Sequence, residues 1–181
     1  MGGLEMTTVQ FKLTIEIDGA AVIQEYLGSE CVSALAGRIP DVAENKSIFG
    51  HIAKSSSSEV RSEIAYKDHL NEDTVELLSQ DASIDVRRRI CSQSSFREWA
   101  STEILLEYIR ADIECAKTIA GNISEYSNAD VNEVAIEICE HADPDVRNAL
   151  AGSWGAPKKF LKKLLSDPDA SVRSSAQRSL D

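Results

Sequence analysis

The chain has 181 residues, 43% of them apolar and 27% charged, proportions that fit a soluble globular protein and exclude wholesale disorder. Nineteen Lys and Arg against 30 Asp and Glu leave a net charge of −11. That balance argues against a binder of nucleic acid or anionic membranes, because such binding rests on cations that neutralise phosphate. No apolar run approaches the ~18 residues that cross a bilayer, and no secretory leader is evident; the isolated cysteines fit a reducing cytoplasm, where the protein is expected.

Residues 1–6, "MGGLEM", read as a leftover of an expression tag ahead of a natural start at Met6. From 9 to 17 apolar Val9, Phe11, Leu13, Ile15 and Ile17 alternate with Gln10, Lys12, Thr14 and Glu16. A period of two predicts a half-buried strand, placed within 7–19 and ended by the turn dipeptide Asp18-Gly19. No second strand is expected, and a lone strand leaves its edges open, so pairing with a second copy through 9–17 is a natural consequence.

From 20 to 181 the chain reads as short helices. Residues 20–27 are expected to form a helix closed by Gly28, followed by a second from Ser29 to Ala36 closed by Gly37. Asp41 with Glu44 three residues on has the capping-box pattern at the start of a third.

One unit then recurs. "VRSEIAYK" from Val60, "VRRRICSQ" from Val86, "CAKTIAGN" from Cys115, "VRNALAGS" from Val146 and "VRSSAQRS" from Val172 align, at spacings of 26, 29, 31 and 26 residues. Arg61, Arg87, Arg147 and Arg173 follow the anchor, with Ala116 the exception. Ile52, Leu78, Ile138 and Leu164 stand eight residues before it. Asp143-Pro144 and Asp167-Pro168 pair an N-cap carboxylate with a proline at the first helical position. The unit is a helix pair of about 26 residues whose apolar face only its neighbours can cover, so the pairs should stack into a right-handed superhelix. The recurring arginine fork suits a structural role, bonding carbonyls or the turn aspartate of an adjacent repeat.

The stretch 143–180 resembles the HEAT-like repeats of bacteria, and most of all the leucine-rich repeat variant, with its D-P-D-x-x-V-R-x-A-(V/L)-A core. Asp143, Pro144, Asp145, Val146, Arg147, Ala149 and Ala151 carry the likeness, as do Asp167, Pro168, Val172 and Arg173. It extends more weakly back to about Ile48. The resemblance implies an all-α, armadillo-like α-α superhelix behind one short N-terminal strand, and says little about function. The cysteine cluster that accompanies some such repeats has no counterpart here, so no iron–sulfur centre is implied.

Cys31, Cys91, Cys115 and Cys139 form no C-x-x-C pair and are expected as reduced thiols, three of them at different positions of the repeat register. Cys139, His141 and Asp143 bear metal-competent groups, yet Asp143 is better explained as a helix cap, and no metal or cofactor is expected. No nucleophile elbow, phosphate loop, dinucleotide fingerprint or zinc-protease motif is present. Some HEAT-like proteins are alkyl-base DNA glycosylases and others are bilin lyases. Trp99, Trp154, Arg87–Arg89 and Arg97 supply residue types for the first, but the net negative charge opposes it.

Two features point to binding. Residues 103–145 hold 11 acidic side chains against Arg110 and Lys117, a net of −9, whereas 146–181 carry seven basic against three acidic, a net of +4. Glu125, Asp130, Glu133, Glu137 and Glu140 include helical spacings that gather carboxylates on one face, either an ordinary solvated surface screened by water or a site for a basic partner. Trp154 lies in the turn "GSWGAP", either packed on the next repeat or offered as an anchor to a partner. The expected protein is a non-catalytic interaction module whose acidic face binds a basic protein, as an immunity protein, an inhibitor or a scaffold.

Overall fold

The computed structural model describes residues 9–181, so the expected tag leftover at 1–6 lies outside the described residues. The chain opens on a hairpin, with β1 (Lys12–Ile17) antiparallel to β2 (Ala20–Tyr26). Two strands therefore stand where one was expected, and the helix expected at 20–27 is a strand. The turn decides it. Asp18 and Gly19 have φ of 51° and 79°, the paired left-handed geometry whose twist matches that of a hairpin. Val22, the bulged residue between Ala21 and Ile23, and Ile23 itself are β-branched and favour the pleated surface over a helix. One edge of β1 is thereby filled within the chain.

Among the described residues twelve α-helices follow, in two compact units divided after Ser95. In the first, α1 (Ser29–Arg38), α3 (Ser58–Ile64) and α5 (Ile84–Cys91) pack side by side, flanked by α2 (Lys46–Ile52) and α4 (Glu72–Ser79). Phe49, Ile64, Leu78 and Ile90 are fully buried between them. Asp41 does not cap α2 as its sequence pattern suggests. Its carboxylate instead accepts the backbone N–H groups of Asp68 and His69 at 2.7 and 3.0 Å, while Asn45 precedes α2 without a side-chain cap. Lys67, buried, donates to the carbonyls of Gly37 and Ile39 at the C-terminal end of α1, where the helix dipole favours a cation.

The second unit begins within α6 (Ser94–Trp99) and continues with α7 (Thr102–Ala111), α8 (Ile113–Gly121), α9 (Val131–Cys139), α10 (Pro144–Ala151), α11 (Lys158–Leu164) and α12 (Ala170–Leu180). Helices α8, α10 and α12 form one layer and α7, α9 and α11 the other. The anchors Cys115, Val146 and Val172 are buried, as are Ile119, Leu150 and Ala176 four residues on, so the apolar register becomes the seam between the layers.

The arginine after the anchor locks successive repeats. Arg61 sends Nε and Nη2 to both oxygens of Asp81, at 2.6 and 2.8 Å, and Nη1 to the carbonyls of Ser55 and Ser56. Arg147 repeats the pattern on Asp167, at 2.7 and 3.0 Å, and on the carbonyls of His141 and Ala142. In each case the aspartate stands 20 residues after its arginine and six before the next one. It also accepts the N–H two residues on, from Ser83 or Asp169. The clamp occurs across both 26-residue intervals. Where the arginine is replaced by Ala116, the residue 20 positions on is Ile136, so both halves of the pair are gone together.

This register corrects the reading of Asp167. The N-cap falls four residues before the arginine: Ser57, Asp143 and Asp169 occupy it, and each accepts N–H groups of the first helical turn. Pro144 is the first residue of α10, as expected, but Pro168 lies outside α12. Asp167 is the clamp residue and not a cap.

Candidate functional site

The turn between α10 and α11 carries the most exposed large apolar side chain described, Trp154, at 93% of its full surface. Its backbone is held firmly. Ser124 Oγ donates to the Trp154 carbonyl at 2.9 Å, and Ser153 Oγ donates to the carbonyl of Gly121 at 2.7 Å. Gly155 follows with φ of 81°, and a Cβ there would meet Ser124 at 2.8 Å, so this turn needs glycine twice over. Beside the indole lies a cleft of about 620 Å³ lined by Ala156, Lys158, Leu161, Arg178, Ser179 and Asp181. The alternative in which Trp154 packs on a neighbouring repeat is not what forms.

The acidic residues are dispersed into separate contacts. Glu125, in a short 3₁₀ turn after α8, meets Arg97 at 2.8 Å. Asp130 caps α9 by accepting N–H groups of Asn132 and Glu133, bonds that hold its carboxyl below the usual aspartate range. Glu137 forms a two-pronged pair with Arg110 at 2.8 and 2.9 Å, and that hydrogen bonding lowers its carboxyl as well. Glu140 reaches Lys163 at 3.3 Å. Glu133 is exposed on the same face of α9 and has no ion pair among the described residues. The helical spacing thus gathers Glu133, Glu137 and Glu140, while Asp130 serves the backbone.

The structural arginines divide by burial. Arg61 and Arg147 are buried in clamps. Arg173 is exposed and donates to the carbonyls of Asp167 and Pro168, and Arg87 is half-buried at the same position of the register. Asp143 caps α10 through the N–H of Asp145 at 2.7 Å. The remaining basic cluster faces carboxylates: Arg88 lies 3.8 Å from Asp85, and Arg89 lies 3.6 Å from Glu63 and stacks on Tyr66. Trp99 is half-buried against Phe96.

All four cysteines are free, with Cys91, Cys115 and Cys139 buried. Burial pushes the Cys139 thiol upward, which opposes the thiolate a metal needs. His141 Nδ1 accepts the N–H of Asp143 at 3.1 Å, so it too is engaged in the turn. No group of three metal-competent side chains occurs among the described residues. No described helix is long and apolar enough to cross a membrane.

Sequence reasoning missed Lys158, Arg178, Ser124 and Ser153 around Trp154. Only the glycines on either side of the tryptophan hinted at a turn that stands clear of its surroundings.

No protein-family model and no curated protein matches the chain. A solved structure described as a leucine-rich repeat variant with a novel repetitive structural motif aligns with it at a TM-score of 0.57 and 22% identity. The alignment covers 81% of this chain and 54% of that one, so the chain spans about half the length of the protein it resembles. At that identity the likeness is one of fold: this chain is a helical-repeat protein with the fold of a leucine-rich repeat variant.

Proposed function

We propose that this protein is a non-catalytic interaction module that binds other proteins through exposed surfaces of its repeats. The observation that carries the reading is Trp154, whose indole is left in water on a backbone pinned by Ser124 and Ser153. An aromatic side chain so placed loses little freedom on binding and gains several kcal/mol of apolar burial, roughly 1.5–3 by area.

The acidic stretch 103–145 supports a finer reading, in which a basic protein is the partner and the chain acts as an immunity protein, inhibitor or scaffold. The Glu140–Lys163 pair is exposed and worth about 0–1 kcal/mol, so an incoming cation can replace it at small cost. Glu133 offers a further carboxylate on that face. The buried free thiols fit a reducing cytoplasm.

A triple substitution, Glu133→Gln with Glu137→Gln and Glu140→Gln, is expected to abolish capture of a basic protein from the native host and to remove the salt sensitivity of that capture. Retained binding at unchanged salt dependence would exclude the acidic face.

Self-association through β1 belongs to the same reading. Leu13, Ile15, Ile17 and Ile23 are exposed, and the hairpin is too small to be stable without cover. Deleting 9–27 is expected to convert a dimer to a monomer in sedimentation, and an unchanged mass would refute it.

A further inference from the structure

The cleft at Trp154 has a charge opposite to that of the chain as a whole. Its apolar floor is Ala156 and Leu161, and its rim is Lys158, Arg178, Ser179 and Asp181. Lys162 stands one helical turn beyond Lys158, so the two ammonium groups share a face of α11. Neither has a carboxylate partner among the described residues, and both are exposed. Arg178 donates to Ser175 Oγ at 2.9 Å, a neutral acceptor that leaves its charge uncompensated. Asp181 supplies the one carboxylate among the lining side chains, and its Oδ1 accepts from Gln177 at 2.8 Å.

A tryptophan with 93% of its surface in water, next to cations in ion-pair contact with no described carboxylate, asks for a ligand with two properties. It must cover the ring and the Leu161 floor with an apolar side chain, and it must bring carboxylates to the rim. We infer that the Trp154 cleft docks an acidic protein segment, with an aromatic or aliphatic side chain against the indole and carboxylates on Lys158, Lys162 and Arg178. This rests on Trp154 as a binding element, and it gives the module a second surface whose partner is opposite in charge to the one expected at the acidic face. Electrostatic complementarity here would govern partner choice and association rate, while the indole would govern residence time.

The probe is a fluorescent peptide of about twelve residues in which Asp and Glu surround a central Phe-Leu pair, with a control in which Lys replaces every acid. Fluorescence anisotropy on the full chain is expected to show the acidic peptide binding and weakening as salt rises. Trp154→Ala should weaken it by about thirtyfold, the scale of a 2 kcal/mol hot spot. Lys158→Glu with Lys162→Glu, and Arg178→Glu separately, should each weaken it by roughly tenfold. All these side chains are exposed, so the variants keep the wild-type melting temperature, which is measured alongside.

If the wild-type chain ignores the acidic peptide up to millimolar concentration, or binds the basic control equally, the inference falls. If Trp154→Ala abolishes binding while the lysine reversals do not, only the acidic character of the partner is refuted and the interaction element stands. If Trp154→Ala changes nothing, both readings fail. Concentration-dependent self-association that Trp154→Ala abolishes would make the occupant a second copy, which also overturns the acidic-segment inference.

Discussion

Replacing Asp167 with Ala is expected to destabilise the unit from Phe96 to Asp181 by about 3–5 kcal/mol, the cost of leaving a buried charge without its partner. Arg147 and Asp167 expose only 9% and 4% of their side chains, and the guanidinium cannot shed its proton to escape. The same substitution also strips the N–H of Asp169 of its acceptor. Chemical denaturation of the variant measures the loss, and a change below about 1 kcal/mol would show the pair to be no clamp at all. A double variant, Arg147→Met with Asp167→Leu, should recover part of the stability, since an apolar pair of similar volume packs without a desolvation cost. Recovery stays incomplete because the carbonyls of His141 and Ala142 lose the Nη1 donor.

The same clamp fixes a pH dependence. Hydrogen bonding from Arg147 holds the Asp167 carboxyl below its ordinary value of 3.8. A carboxylate depressed in the folded state contributes stability that is fully present above the unfolded value and is lost as pH falls through the folded one. Acid titration of the wild type should therefore show a loss of stability below about pH 4 that is diminished in Asp167→Ala.

The helical pairs were legible because their signal is local and repeated. Val60, Val86, Cys115, Val146 and Val172 recur with a buried residue four positions on, and periodic burial needs nothing beyond the chain's own sequence. The hairpin was not legible. "AAVIQEYL" satisfies a helical pattern as well as a strand pattern, and the choice is made by the turn at Asp18-Gly19, which joins it to a strand. The cap pattern misplaces Asp167 for a related reason: Asp-Pro occurs at 143–144 and at 167–168, but two residues apart in the register, so one aspartate caps and the other clamps. At the candidate site, the exposure of Trp154 depends on Ser124, 30 residues earlier, and no periodicity reports a contact of that range. The acidic residues looked like one patch because sequence spacing counts charges, whereas Arg97, Arg110 and Lys163 come to them from other elements.

Phe96→Ala is the second large effect expected, at about 3–5 kcal/mol. Phe96 is fully buried, with its ring centroid 5.1 Å from Tyr108 and 6.2 Å from Trp99. Truncation leaves a cavity whose walls are two stiff aromatic side chains on short helices, and these collapse poorly into the space. The loss will not spread evenly. In a repeat array each pair contacts only its neighbours, so stability is a sum of local and nearest-neighbour contributions. Tyr108 belongs to α7, which packs on α8 and α9, whereas α12 packs on α10 and α11. Amide exchange in Phe96→Ala should therefore accelerate most in α7 and α8, by roughly 10²–10³-fold, and least in α12. Equal acceleration along the whole unit would mean that it opens as one cooperative body, with the clamp at Arg147 and Asp167 transmitting the damage instead of containing it.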